Sequence, residues 1–118
     1  MIAPGRSNVV ARIGPSGAPA LMLNGHLDVV GVEGMVHDPF AANIRDNRIY
    51  GRGSADMKGG VAAMWAAAVS VPASTRNRHV LTPAVVHEEY ESLRMRPLRQ
   101  SGLRVEAAVT ADRAKLRR

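Results

Sequence analysis

Two short groups of polar residues have types and spacings that suit metal binding. In His26-Leu27-Asp28 the polar residues are two positions apart, so on an extended backbone their side chains point the same way. Asp28 could then accept the ring N–H of His26 and fix the tautomer whose other nitrogen binds a metal ion. A loop histidine and a turn aspartate that never meet would give the same pattern, so both interpretations stay open.

Asp56 follows the glycine-rich turn Gly51-Arg52-Gly53-Ser54 and precedes an alanine-rich helical pattern. Backbone N–H groups at such a turn could hold its carboxylate while the two carboxylate oxygens bridge two cations. The alternative is an ordinary helix cap. A phosphate-binding loop is not indicated, because Gly51-x-Gly53 lacks a third glycine at the right spacing and no Gly-Lys-Ser/Thr occurs.

A carboxylate pair, Glu88 and Glu89, follows an apolar segment with a strand pattern. Adjacent side chains at a strand end diverge, so one could bind a metal while the other takes a proton from an attacking water molecule. An acidic pair that favours the dipole of a following helix is the alternative.

Length and composition restrict the class of protein. The chain has 118 residues, enough for one domain with a buried core but not for two. It has no cysteine, so any metal must be bound by histidine and carboxylate side chains. Neither a signal peptide nor a membrane-spanning apolar run is visible, and we expect a soluble cytoplasmic protein.

The net charge of +6 comes mostly from arginines and lysines after position 93. A basic surface can bind nucleic acid, but aromatic residues make up only 3% of the chain and no groove-reading motif is present. We therefore favour a solvated basic helix face and C-terminal tail over a nucleic-acid partner.

Hydrophobic periodicity and turn residues predict an alternation of strands and helices. Residues 7–13 and 20–23 are predicted to be strands joined as a hairpin, with Asn24 and Gly25 ending the second. The further predicted elements are a hairpin at 43–50, a helix at 59–70, a central strand at 79–86, a helix at 92–101 and a strand at 105–110. Pro83 would shift the strand at 79–86 towards a sheet edge or a bulge. The apolar strands should be buried neighbours under helix 59–70, giving an α/β sandwich with a mostly parallel sheet.

Four motifs, taken in order, resemble one enzyme family. They are His26-x-Asp28, Asp38-Pro39-Phe40, the block YGRGSADMKGG at 50–60 and the block VVHEE at 85–89. Together they resemble the di-zinc amidohydrolases and metallopeptidases that include acetylornithine deacetylase, succinyl-diaminopimelate desuccinylase, aminoacylase and glutamate carboxypeptidase. The resemblance covers residues 8–116, but only the N-terminal part of that family's catalytic domain.

The resemblance implies a role for each matching residue. His26 would bind the first zinc ion and Asp28 would orient it, while Asp56 would bridge both ions. Glu88 would be the general base, and Glu89 would bind the second zinc ion.

A gapless alignment of residues 107–109 with a later family strand implies a further ligand, Asp112, for the first zinc ion. Arg113 stands where the family has proline, and His87 where it has aspartate. The resemblance also implies a cis peptide bond between Asp56 and Met57.

The resemblance implies a three-layer α-β-α sandwich with a mixed, mostly parallel sheet. Residues 1–118 would form part of a catalytic domain, without the lid and dimerisation domain and without the second zinc ion's histidine. The activity would be zinc-dependent hydrolysis, with Co²⁺ able to replace Zn²⁺, of the amide bond of a small N-acyl amino acid or peptide. We expect the chain alone to be inactive and not to form the family's homodimer. A non-catalytic remnant that binds metal weakly or serves as an interaction module is the alternative.

Overall fold

A computed structural model describes residues 7–15, 20–72, 74, 79–86 and 105–110. Within these ranges, six strands and one long helix follow in chain order. They are β1 (Val9–Ile13), β2 (Ala20–His26), β3 (Asn43–Arg45), β4 (Arg48–Tyr50), α1 (Gly59–Ser70), β5 (His79–Val85) and β6 (Ala107–Thr110). A wide turn, Ser54–Lys58, leads directly into α1.

Four strands form one mixed sheet in the order β1-β5-β2-β6. Strand β2 is parallel to both β5 and β6, whereas β1 is antiparallel to β5. Strands β3 and β4 form a separate two-stranded hairpin. A mostly parallel sheet of this kind needs a covering helix, because its central strands are apolar on both faces.

Helix α1 supplies that cover on one face of the sheet. Its buried residues, Val61, Met64 and Ala68, recur at helical spacing and so share one side of the helix. Val61 and Met64 form a core cluster with Met57, against which Leu23 and Leu27 pack. Strand β5 beneath is almost fully buried along its length. The core therefore lies between α1 and strands β2 and β5.

Several predicted elements agree with the structure. The hairpin at 43–50, the helix at 59–70 and the two apolar strands as buried parallel neighbours are all confirmed. The α/β class with a mixed, mostly parallel sheet is confirmed as well. The helix predicted at 92–101 lies outside the described residues. Within the described part of the chain, no helix is long and apolar enough to cross a membrane.

The predicted pairing of the first two strands is wrong. Strand β1 pairs with β5, in the register Val9 to Ala84 through Ile13 to Val80, and β5 separates it from β2. Turn residues show where a chain can reverse, but not which strand takes the neighbouring position. An apolar strand such as β5 satisfies more backbone groups with a partner at each edge.

The predicted end of β2 is also wrong, whereas the central position predicted for β5 is confirmed over the edge position that Pro83 favoured. Strand β2 continues through Asn24 and Gly25 to His26. Strand β5 lies inside the sheet although it contains Pro83, which is fully buried. The paired residues of β2 and β5 stop at Leu81 and resume at Ala84. This interruption accommodates a residue that has no N–H to donate.

Candidate metal centre

The candidate metal site lies where the carboxyl ends of parallel strands meet. His26 is the last residue of β2 and lies opposite Val85, the last residue of β5. The N–H of Leu27 donates to the carbonyl of Val85 at 2.8 Å, which keeps the two strand ends together. In open α/β sheets this edge is where ligands bind.

The His26 ring is buried, with only 2% of its side chain exposed, and its orientation is fixed. Its Nδ1 lies 2.9 Å from the backbone carbonyl oxygen of Asp28. A carbonyl oxygen can only accept, so Nδ1 carries a hydrogen and donates it. In the neutral form of the ring the other nitrogen, Nε2, then presents a lone pair, and it lies 3.6 Å from Oδ1 of Asp56.

Asp28 acts on this ring mainly through its main chain. Its carboxylate Oδ1 lies 3.7 Å from Nδ1 of His26, beyond hydrogen-bonding distance. The sequence pattern predicted a hydrogen bond to the carboxylate, and the backbone carbonyl takes it instead. The pattern's other interpretation, residues that never meet, does not apply either.

The turn Ser54–Lys58 brings Asp56 to the same edge. Gly53, at φ 80°, begins the turn, and a Cβ there would lie 2.4 Å from Cγ1 of Val29, so glycine is required. The backbone N–H of Lys58 donates to the carbonyl of Gly53 at 2.9 Å and closes the turn. The peptide bond between Asp56 and Met57 is cis, as the resemblance implied.

Asp56 does not cap the following helix. The N-cap residue of α1 is Lys58, and neither this cap nor the start of the turn has a side-chain hydrogen bond. The Asp56 side chain is 44% exposed, and its Oδ1 faces Nε2 of His26. The carboxylate is therefore held at the sheet edge with access from solvent.

The donor set of His26 and Asp56 fits a metal ion. An imidazole lone pair and a carboxylate oxygen are both acceptors, and they face each other at 3.6 Å. Two ligand atoms on one tetrahedral zinc ion lie about 3.4 Å apart, given bonds of about 2.0–2.2 Å. A cation between them would satisfy both groups.

The described residues bring together two candidate ligands rather than a full set. Among them, no group of three or more His, Cys, Asp or Glu residues could hold a metal ion. Asp28 lies behind the ring of His26, on its Nδ1 side. Glu88, Glu89 and Asp112 lie outside the described residues. Strands β5 and β6, which precede them in the sequence, flank β2 and run parallel to it.

Two cavities adjoin the glycine-rich turn. One of about 230 Å³ is lined by Asp56 and by Val30, and a larger one of about 410 Å³ is lined mainly by apolar side chains. Arg52 lines both cavities, and Lys58 lines the larger. Neither cation belongs to the metal-binding pattern of the sequence motifs.

Comparison with known proteins identifies the family. Residues 22–113, more than half of the chain, match the family described as Peptidase family M20/M25/M40. The chain belongs to this family. The resemblance read from the motifs is thereby confirmed.

Curated relatives in the M20 family include succinyl-diaminopimelate desuccinylases. The chain is 52% identical over 69 residues to the enzyme of Methylobacterium radiotolerans, covering 57% of this chain and 17% of the relative. It is 61% identical over 61 residues to that of Gluconobacter oxydans, covering 51% and 16%. The chain thus spans about a sixth of the length of these relatives.

Two solved structures have a similar fold. Human carnosine dipeptidase 1 matches with a TM-score of 0.68 and 26% identity, over 90% of this chain and 25% of that one. An M20 family metallo-carboxypeptidase, Sso-CP2 from Sulfolobus solfataricus, matches with a TM-score of 0.67 and 22% identity, over 87% and 25%. The named relatives are hydrolases of amide bonds, which is the enzyme class that the motifs implied.

Proposed function

We propose that residues 1–118 form part of the catalytic domain of a zinc-dependent M20 hydrolase. The observation that carries this proposal is the pair of facing acceptors, Nε2 of His26 and Oδ1 of Asp56, 3.6 Å apart at the carboxyl ends of parallel strands. The proposed reaction is hydrolysis of the amide bond of an N-acyl amino acid or a peptide. The desuccinylase relatives, at 52% and 61% identity, favour an N-succinyl amino acid.

We assign the residues as follows. His26 and Asp56 would hold the first zinc ion, with Asp112 as a further ligand. Asp56 and Glu89 would hold the second. When bound, zinc would supply Lewis acidity, which favours the attack of water on the amide carbonyl.

The chain's own groups hold the reactants and move the proton. The carbonyl of Asp28 accepts the Nδ1 hydrogen of His26 and keeps Nε2 directed at the metal position. Glu88 accepts a proton from the attacking water molecule and returns it to the amide nitrogen as the C–N bond breaks. The exposure of Asp56 leaves this position open to the substrate.

The test is zinc binding, measured by isothermal titration calorimetry on the 118-residue chain. We expect one site per chain, with a second that is weak or empty. His26→Ala should weaken binding by more than the roughly 10–100-fold lost when a residue supporting a ligand is removed. Bound Co²⁺ in place of zinc should report the same change in its visible absorption spectrum.

His37→Ala is the matched control. His37 lies in the loop before β3, where its Nδ1 contacts the carbonyl of Asp38 and its ring meets Tyr50 edge-on. Zinc affinity should be unchanged in this variant. Two tight sites per chain, or equal affinity in His26→Ala and the native chain, would contradict the assignment.

The cytoplasmic location, the lack of a nucleic-acid partner and the lack of a homodimer stay predictions of the sequence.

A further inference from the structure

Two cations near the candidate metal site have no acidic partner in the part of the chain that the structure describes. The backbone of Arg52 is held in place by its N–H, which donates to the carbonyl of Pro39 at 2.8 Å. Its side-chain Nε is buried and makes no hydrogen bond to the described residues. A buried charged donor without an acceptor is costly, so such a group calls for an explanation.

Lys58 lies against the same turn. A Cβ built on Gly53 would lie 2.9 Å from Nζ of Lys58 and 3.5 Å from its Cδ, so this side chain folds over the turn. No ion pair joins Lys58 to an acidic residue within the described ranges. Arg52 and Lys58 therefore bring two positive charges to one wall.

The larger cavity combines this wall with an apolar surface that is open to solvent, since Phe40 is 79% and Ile49 60% exposed. Its volume is about 410 Å³, and Val29, Phe40 and Ile49 supply much of its apolar lining. Arg52 and Lys58 are its only charged lining residues in the described part of the chain. Pockets for small molecules are typically about 300–1,000 Å³, mostly apolar, with a few polar groups that fix orientation.

Charge separates the two cavities. The smaller one, of about 230 Å³, includes Asp56, whose carboxylate repels an anion. The charged residues that line the larger one, within the described part of the chain, are both cations. Gly51, Arg52 and Ser54 line both cavities. A molecule reaching from Asp56 into the larger cavity would pass this shared wall.

We infer that the larger cavity binds the carboxylate of an anionic substrate with an apolar chain, and that Arg52 and Lys58 recognise that carboxylate. This inference deepens the proposed function and rests on it for the location of the reacting amide bond. The guanidinium of Arg52 presents paired donors that match a carboxylate, and Lys58 adds a point charge. Val29, Phe40 and Ile49 contact the chain that carries it.

The test compares three small probes by NMR titration of the ¹⁵N-labelled chain. Hexanoate has the required charge and chain, hexanamide has the chain without the charge, and succinate has charge without an apolar end. We expect hexanoate to bind most tightly. Arg52→Gln should weaken hexanoate about tenfold or more, as for a lost hydrogen bond to a charged group, and leave hexanamide unchanged.

Arg45→Gln is the control, because Arg45 lies over the Tyr50 ring and does not line the cavity. Hexanoate should bind this variant and the native chain alike. If Arg52→Gln loses the native circular dichroism spectrum, Lys58→Met takes its place, with an expected loss of about threefold or more for one charged contact. Equal binding of hexanoate and hexanamide, or an unchanged affinity in the folded variant, would overturn the inference.

Each titration is done with EDTA and again with zinc. Hexanoate binding that persists in EDTA supports the carboxylate site whether or not the chain binds zinc. Binding seen only with zinc would place the carboxylate on the metal and overturn the inference. Failure of the carboxylate site and failure of the zinc site therefore give different results.

Discussion

At the scale of single residues, the orientation of the His26 ring depends on a main-chain group. Its ring is held by the main-chain carbonyl of Asp28 at 2.9 Å, while the Asp28 carboxylate is 3.7 Å away. A main-chain acceptor remains when the side chain of the same residue is substituted. The Asp28 carboxylate then contributes through its charge rather than by setting the tautomer.

This geometry predicts a mild effect for Asp28→Asn. Because the backbone hydrogen bond remains, zinc affinity should fall by less than about tenfold, the lower end of the range for supporting residues. Calorimetry under the conditions used for His26→Ala makes the comparison. A loss as large as that of His26→Ala would mean that the carboxylate itself holds the ring or binds the metal.

At the scale of elements, the contact between β2 and α1 sets the position of His26. Gly25 precedes His26 and lies beneath the helix, where a Cβ would be 2.6 Å from Cγ2 of Val61. The same Cβ would be 3.1 Å from Cε of Met57 and 3.2 Å from Cε of Met64. The methionines are flexible and can move, whereas a β-branched valine on a helix is restricted to few rotamers.

We therefore expect Gly25→Ala to destabilise the fold by about 1–3 kcal/mol, as for overpacking of a core. Urea unfolding followed by circular dichroism measures the change. Gly31→Ala is the control, because the three atoms nearest to its Cβ would all belong to the side chain of Glu33, and Glu33 is exposed. That variant should stay within about 0.5 kcal/mol of the native chain. Equal stability of Gly25→Ala and the native chain would show that the helix does not pack as closely as described.

At the scale of the whole molecule, the chain corresponds to a limited part of its relatives. It spans 16–17% of the two desuccinylases and 25% of the two solved structures. The resemblance implies that the second zinc ion's histidine and the lid that contacts substrate come from other parts of the family's chain. The 118 residues therefore contain most of the candidate metal ligands, whereas the lid that helps to position the substrate belongs to other parts of the family's chain.

The 118-residue polypeptide expressed by itself should hydrolyse N-succinyl and N-acetyl amino acids at well below about 1 s⁻¹, even with added zinc. Positioning of the substrate can supply about 7–11 kcal/mol of a barrier, and the family's lid contributes to that positioning. A steady-state assay with Glu88→Gln as the control makes the measurement. Turnover of about 1–10³ s⁻¹ that disappears in Glu88→Gln would show that these residues suffice for catalysis.

The sequence by itself determined the features that depend on local pattern. The helix Gly59–Ser70, the hairpin around Asp46 and Asn47 and the burial of β5 follow from periodicity, turn residues and apolar runs. The motifs around His26 and Asp56 likewise predicted that these residues would meet at one sheet edge, because His26 lies where a strand ends and Asp56 lies where a helix begins.

Only the tertiary structure decided how these pieces pair and which atoms meet. The sequence pattern placed a strand end at Gly25, but β2 continues to His26. It left open whether Pro83 lies inside the sheet or at its edge, and Pro83 lies inside. It also could not show that Arg52 and Lys58 share a cavity wall with Phe40. A local pattern records whether a segment is apolar and periodic. Partner strands, main-chain acceptors and cavity walls come from segments distant in sequence, and packing in three dimensions selects among them.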